Sequence, residues 1–412
     1  MADALDEEDG VTVPTQSALP SNELPKPAVG SVIGPLQVTA LAHGGHCVAR
    51  WQDRVVFVRH AIPGEVVTAR VTDTQHARFW RADVVDVLES SADRVVPPCP
   101  IAGRCGGCDF QHVDLAAQRR LKAGVVAEQL QRLAGIERHV VVEAVPGDLE
   151  GLGYRTRMRY LVRGDRVGLR MHRSTELVEL PASGCALADP VMPSVTQLRT
   201  LAGEADEAEV VVAASDSGLS VLVANRLVQG SAVVTQSVAG RQFAVRADGF
   251  WQVHQGAAET LTQAVRELAA PKPGERALDL FCGVGLFAGM LVDARCEVVG
   301  VEADRRAIEL AQRNVRSARF IASTVERALA RLPKRVDLVV LDPPRSGAGR
   351  AVVQALVERT PSRIIYVACD PAALARDVAT FAQHGYQLGR LRAIDLFPMT
   401  QHIECVAELL PS

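Results

Sequence analysis

After residue 247 the chain carries near-continuous apolar runs, RALDLFCG, CEVVGVEAD, VDLVVLDPP and RIIYVACD, separated by helical stretches such as RRAIELAQRNV and AVVQALVERT. A strand with one wet face alternates apolar and polar side chains, so a strand without alternation has to be covered on both faces. Helices between such strands supply the covers, and parallel neighbours require crossovers of that length. Residues 247–412 therefore read as an α/β unit, a doubly wound and mostly parallel sheet. Sheets of this kind bind ligands beyond the carboxyl ends of their strands, where the strand order reverses.

The strand ends carry chemistry. The first runs into DLFCGVGLF, where Gly283 and Gly285 allow a tight turn and close approach of backbone to a ligand. The second ends in Glu302, placed to accept hydrogen bonds from ribose hydroxyls. The third glycine of a dinucleotide fingerprint is missing, because position 288 is Ala288, and the acidic Asp279 ahead of the loop suits a cationic ligand such as S-adenosylmethionine. Asp342 opens DPPRSG after the fourth strand, and Cys369 closes IIYVAC after the next. On these residues alone Cys369 is either a packed thiol or a nucleophile at the mouth of a site.

Upstream the pattern changes. Residues 1–28 are rich in Pro, Ser and acidic side chains and read as a disordered tail. Residues 29–92 hold short β-rich runs punctuated by Gly-Gly and Pro-Gly, the pattern of a small β-barrel. Residues 93–246 read as a central α+β domain, with a helix over 113–135 that ends in glycine. The net charge of −3 conceals an uneven distribution: Asp3, Asp6, Glu7, Glu8, Asp9 and Glu23 face only Lys26 in the tail, so the remainder is positive. Within that remainder YRTRMRYLVRGDRVGLRMHR (154–173) holds seven arginines, and strand alternation puts Arg155, Arg157 and Arg159 on one face near Tyr154 and Tyr160. A solvated sheet face and an RNA grip both fit this stripe. The acidic N-terminus has no apolar core segment of a secretory signal, and no apolar run approaches a membrane span, so the expectation is a cytoplasmic, monomeric protein without a membrane partner.

Cys99, Cys105 and Cys108 cluster in CPIAGRCGGCDFQH, with Cys185 available as a fourth thiol. In a cytosolic setting such clustering points to metal rather than disulfides, and four thiolates suit zinc or an iron–sulfur cluster. A zinc ribbon would need two Cys-x-x-Cys pairs, and only one, Cys105 with Cys108, is present.

Taken in order, DLFCGVGLF, DPPRSG, ACDP and DLFPMTQHIECVAEL resemble the RNA uracil-5-methyltransferase family, and FWQVH (250–254) resembles its Phe-x-Gln segment. The barrel is similar to a TRAM domain, an OB-like RNA-binding module. The resemblance runs from about residue 30 to the end. It implies a class I methyltransferase sheet, S-adenosylmethionine as cofactor, and RNA as partner, with ribosomal RNA favoured over transfer RNA. Cys369 would be the nucleophile and Glu404 the base, while Gln252, Phe281, Glu302 and Asp342 would line the cofactor and uracil sites. Cys99, Cys105, Cys108 and Cys185 would hold the [4Fe–4S] cluster of one branch of the family, with zinc as the alternative, and would make the central region an iron–sulfur domain. Two positions depart from the family pattern: Leu286 and Thr324 stand where polar cofactor contacts are usual. Two other classes compete with this enzyme: a non-catalytic RNA-binding protein of the same fold, against which the intact Cys369, Glu404 and Asp342 count, and a nicotinamide-dependent oxidoreductase, against which the missing glycine counts.

Overall fold

A computed structural model describes residues 26–412 apart from Ala77 and Leu149. The acidic tail expected at 1–28 falls almost entirely outside the described residues. The first five strands, β1 (Val32–Leu41), β2 (Cys47–Trp51), β3 (Arg54–Arg59), β4 (Val66–Asp73) and β5 (Phe79–Glu89), close into a barrel of order β1-β2-β3-β5-β4. Alternation along β4, where Val67, Ala69 and Val71 are buried, shows why these runs close around a core instead of lying flat.

Helix α1 (Leu115–Ala134) follows. The Asp114 carboxylate caps it by accepting from the Ala116 and Ala117 amides, and Gly135 ends it in the left-handed conformation at φ 68°. This helix has two covered faces. Ala117 and Val125 belong to the barrel core, whereas Val126 and Leu130 belong to the core of the C-terminal sheet. The chain then contributes the short strand β6 (Val142–Ala144) before entering the central sheet of β7 (Arg157–Arg163), β8 (Arg166–Arg170), β9 (Leu177–Glu179), β10 (Glu207–Ser215), β11 (Gly218–Val223) and β12 (Arg226–Gln229), with α2 (Val195–Ala202) beside it. A hairpin of β13 (Val233–Val238) and β14 (Arg241–Arg246) leads to α3 (Ala257–Ala269).

The remaining elements are β15 (Arg276–Leu280), α4 (Leu286–Asp293), β16 (Glu297–Glu302), α5 (Arg305–Asn314), β17 (Arg319–Ala322), α6 (Val325–Ala328), β18 (Leu338–Leu341), α7 (Arg350–Val357), β19 (Arg363–Ala368), α8 (Pro371–Gln383), β20 (Tyr386–Asp395) and β21 (Glu404–Pro411). They form a sheet of order β17-β16-β15-β18-β19-β21-β20-β6. Strands β15 to β19 are parallel, and β21 runs antiparallel between β19 and β20. The doubly wound reading holds, and the order reverses between β15 and β18. The expected start of this unit at 247 is too late in space, however, because β6 pairs with β20 at the sheet edge and α1 packs on α8. Three residues carry too little pattern to be assigned to a sheet so far along the chain.

What fixes α1 to this sheet is ionic. Lys122 and Asp395 are each 1% exposed and meet at 2.6 Å, and the same ammonium donates to the Phe397 carbonyl at 3.1 Å. Burial pushes the ammonium below its usual range, and Asp395 offsets part of that. Among the described residues no helix is long and apolar enough to cross a membrane. Removing one member of a buried pair strands the other charge, so Lys122→Met should cost about 3–5 kcal/mol in urea unfolding, and Lys122→Met combined with Asp395→Leu should recover most of it.

Candidate active site

Backbone register assembles the site. Leu280 lies beside Val301 and beside Leu341, so the next residues out, Phe281, Glu302 and Asp342, stand level at three adjacent strand ends. On the other side Ala368 pairs with Cys405 across antiparallel strands, and continuing that register by one residue puts Cys369 opposite Glu404. All five residues, with Gln252, line one cleft of about 710 Å³ at the point where strand order reverses. Of the two family departures, Leu286 lines this cleft, whereas Thr324 does not and opens α6.

Local structure sets each group. Phe281 is held at φ 62°, an uncommon conformation for a residue with a side chain, where the chain turns out of β15. Gly283 has open space where a Cβ would sit. Glu302 is braced by the amides of Gly283 at 3.1 Å and Asp304 at 2.8 Å, which fixes its carboxylate at the rim. The segment carrying Gln252 is fastened from beneath: the Arg157 guanidinium donates to the carbonyls of Arg246, Ala247 and Gly249 at 3.0–3.1 Å. Glu404 follows the loop 396–403, which is tied down by Lys122, by Gln118 accepting from the Met399 amide at 2.8 Å, and by the Tyr154 hydroxyl donating to the Pro398 carbonyl at 3.0 Å.

Acidic groups crowd the floor. Burial raises Asp279 to about 8 and, with Glu302 nearby, raises Asp342 to about 7, and burial with Asp342 lifts Glu404 well above the carboxylate range. Burial and the Glu404 and Asp342 charges push the Cys369 thiol up to about 11, against the opposing pull of Arg345. The thiol of the free protein is thus raised, chiefly by burial, and the groups beside it are carboxyls that are themselves raised.

Arg345, in DPPRSG, and Phe250, in FWQVH, were read as parts of motifs without a site role of their own. Arg345 lines the cleft next to Cys369, and Phe250, 78% exposed, stands at its rim. The Arg-Ser-Gly after Asp-Pro-Pro was the available signal for the first. The arginine stripe divides. Arg157 is structural, Arg159 and Arg163 pair with Glu209 and Glu207, and Arg166 pairs with Glu179. Tyr154 and Tyr160 are buried, so neither presents a ring to a partner.

The four cysteines converge. Cys99, Cys105, Cys108 and Cys185 line one small cavity together with Arg155, whose buried Nε has no hydrogen-bond partner. The Gln111 amide donates to the Cys108 sulfur at 3.0 Å and the Gly107 amide to the Cys105 sulfur at 3.4 Å. Buried amide donors and a guanidinium with its Nε free suit sulfur that carries negative charge. As they stand, no group of three or more His, Cys, Asp or Glu side chains among the described residues is placed to hold a metal ion.

A sheet of this order with a cleft at its reversal is that of a class I methyltransferase. The solved tRNA (uracil-54, C5)-methyltransferase of Pyrococcus abyssi superposes with a TM-score of 0.71 at 23% identity, covering 91% of this chain and 99% of that one. The pattern of the tRNA (Uracil-5-)-methyltransferase family matches residues 224–410, and that of the TRAM domain matches 29–85. An uncharacterized RNA methyltransferase of Streptomyces avermitilis is 43% identical over 92% of this chain and 98% of its own length. The 23S rRNA (uracil(1939)-C(5))-methyltransferase RlmD of Acidithiobacillus ferrooxidans is 31% identical over 93% and 98%. The chain belongs to the RNA uracil-5-methyltransferase family.

The carboxyl crowding has a stability signature. An acid whose folded pKa is raised costs the fold nothing below its unfolded value near 4 and costs most above its folded value. Asp342→Asn should therefore raise the melting temperature at pH 8, by the equivalent of about 2 kcal/mol, and leave it unchanged at pH 4.

Proposed function

We propose that the protein forms 5-methyluridine in RNA from S-adenosylmethionine, by addition of Cys369 to C6 of a uracil, and that its substrate is ribosomal RNA. The observation that carries this reading is the register that sets Cys369 against Glu404 at one end of a cleft whose other end is built from Phe281, Gly283 and Glu302. The ribosomal choice rests on the near full-length similarity to the 23S rRNA enzyme.

The residues fit the methyl donor. Glu302 faces where a ribose would lie, Gly283 leaves room for the amino-acid portion, and the acidic floor suits a sulfonium. The donor supplies an electrophilic methyl group and one positive charge. That charge favours ionised Asp342 and Glu404, and Arg345 favours the Cys369 thiolate. The thiolate bonds to C6 and the ring electrons move onto C5 and O4, making C5 a nucleophile. C5 takes the methyl group as its bond to sulfur breaks. The Glu404 carboxylate then accepts the C5 proton, the C5–C6 double bond re-forms, and the thiolate leaves. A paired base hides C6, so the target uridine has to be unstacked to reach Cys369.

The four-cysteine cavity is assigned to a [4Fe–4S] cluster. Four sulfurs lining one cavity, two amide donors and the unpartnered Nε of Arg155 support it. Such a cluster would supply no step of methyl transfer; its ligands would tie the Cys99–Cys108 segment to Cys185, while the Asp109 and Phe110 amides, donating to the Met399 carbonyl, join that segment to the loop that leads to Glu404.

RNA in which 5-fluorouracil replaces uracil tests the mechanism, because fluorine cannot leave as a cation. With S-adenosylmethionine, a covalent protein–RNA band should form on a 23S rRNA transcript and be absent for Cys369→Ala; failure to trap any RNA would sink the reading, and trapping on transfer RNA alone would overturn the choice of substrate. On ordinary RNA, Glu404→Gln should accumulate the methylated adduct while turnover falls about 10²–10⁴-fold. Protein purified without oxygen should contain about four irons and four sulfides per chain, a content that Cys108→Ala lowers; one zinc per chain would refute the cluster.

A further inference from the structure

The barrel reaches the active site through the loop between β1 and β2. His43 Nε2 lies 2.9 Å from Asp370 Oδ2. Asp370 immediately follows Cys369, and its other oxygen accepts the Ala373 amide at 2.8 Å, capping α8. One carboxylate thus joins the barrel to the first turn of the helix behind the nucleophile. Burial pushes that carboxyl up, but the His43 contact and the Ala373 amide outweigh burial and hold it below the usual range. The same loop touches the other catalytic strand: a Cβ on Gly45 would fall 2.6 Å from the Gln401 side chain, three residues before Glu404. Between these two contacts lies a cavity of about 160 Å³ bordered by His43, Arg345, Cys369 and His402.

An RNA-gripping barrel has no need of either contact. It could bind phosphates from any position and leave the strand ends to the sheet. Instead the loop is packed between residues flanking Cys369 and Glu404, with a glycine at the one position where a side chain would not fit.

We propose that His43 is a positioning residue for the covalent step: through Asp370 it fixes the turn that presents Cys369, so that the barrel acts on the attack at C6 and not on RNA affinity alone. This inference rests on the nucleophilic reading of Cys369. The contact is 38% exposed on the histidine side, so its effect on rate should be moderate.

The test uses the full-length protein, the 5-fluorouracil transcript and S-adenosylmethionine, with protein in saturating excess, so that the trapping rate is read apart from RNA affinity. His43→Phe removes the donor, and His43→Gln keeps an N–H at similar reach. Asp370→Ser keeps a helix cap while losing the oxygen that meets His43. His43→Phe should slow trapping roughly threefold to tenfold, as expected for loss of one partly exposed, charge-assisted hydrogen bond, with RNA affinity changed by less than about twofold on the same scale. His43→Gln should restore most of the rate, and His43→Phe should add little in the Asp370→Ser background because the pair acts as a unit. The proposal is overturned if His43→Phe traps at the wild-type rate under saturation, whether or not RNA binding weakens, or if the two substitutions multiply independently. A wild-type protein that traps no RNA overturns the catalytic reading itself, and this inference with it; trapping by wild type with an unaffected His43→Phe overturns this inference alone.

Discussion

The buried pair of Lys122 and Asp395 is the contact on which the arrangement of this protein depends. Helix α1 keeps a wet stripe along Ala116, Arg120, Gly124 and Glu128, but Lys122 lies off it, on the part of the helix covered by the barrel core and the sheet core. The ammonium meets the last residue of β20 and one carbonyl, that of Phe397, in the loop that follows. One ion pair therefore fixes three things together: the barrel against the sheet, the end of an edge strand, and the approach to Glu404. A well-packed apolar pair could supply comparable stability. It would not tie the Phe397 carbonyl to α1, leaving that oxygen to the amide and hydroxyl of Thr400 within its own loop.

The cleft shows a second constraint. Four carboxyls, Asp279, Glu302, Asp342 and Glu404, lie at or under the strand ends, and the fold keeps several of them protonated near neutral pH by burying them. A thiol among them is held in its unreactive form. On the proposed reading this is useful, since an empty site carries no exposed thiolate open to oxidation, and the charge of the methyl donor shifts the balance toward the reactive form only when chemistry can follow. The cost is borne by the fold, which tolerates desolvated acids that an apolar floor would not impose.

Much of the architecture was legible in the chain. Unalternated apolar runs require two covers, so the parallel sheet followed from RALDL, EVVGVE, LVVL and RIIYVA. Turn punctuation at Gly44–Gly45 and Pro63–Gly64 marked the barrel. The arginine stripe was legible as charge but not as role. Arg157 turned out to clamp three carbonyls, and Arg159 and Arg163 found glutamates on β10, a strand some fifty residues later. A charge pattern states what can be paired, and only the partner strand decides whether it is.

The sequence by itself determined the class of fold, the residue types at the strand ends and the four cysteines, because each follows from local patterning or from a short motif. Tertiary structure decided which of these meet. Cys369 and Glu404 are thirty-five residues apart, and they face each other only because β21 inserts antiparallel beside β19. The upward push on the Cys369 thiol was likewise invisible in IIYVACDP, since it comes from burial and then from Glu404 and Asp342 on neighbouring strands. So was the link from His43 to Asp370, which spans most of the chain. Electrostatic and hydrogen-bond energies act over a few ångströms in space, and no distance along the chain reports that separation.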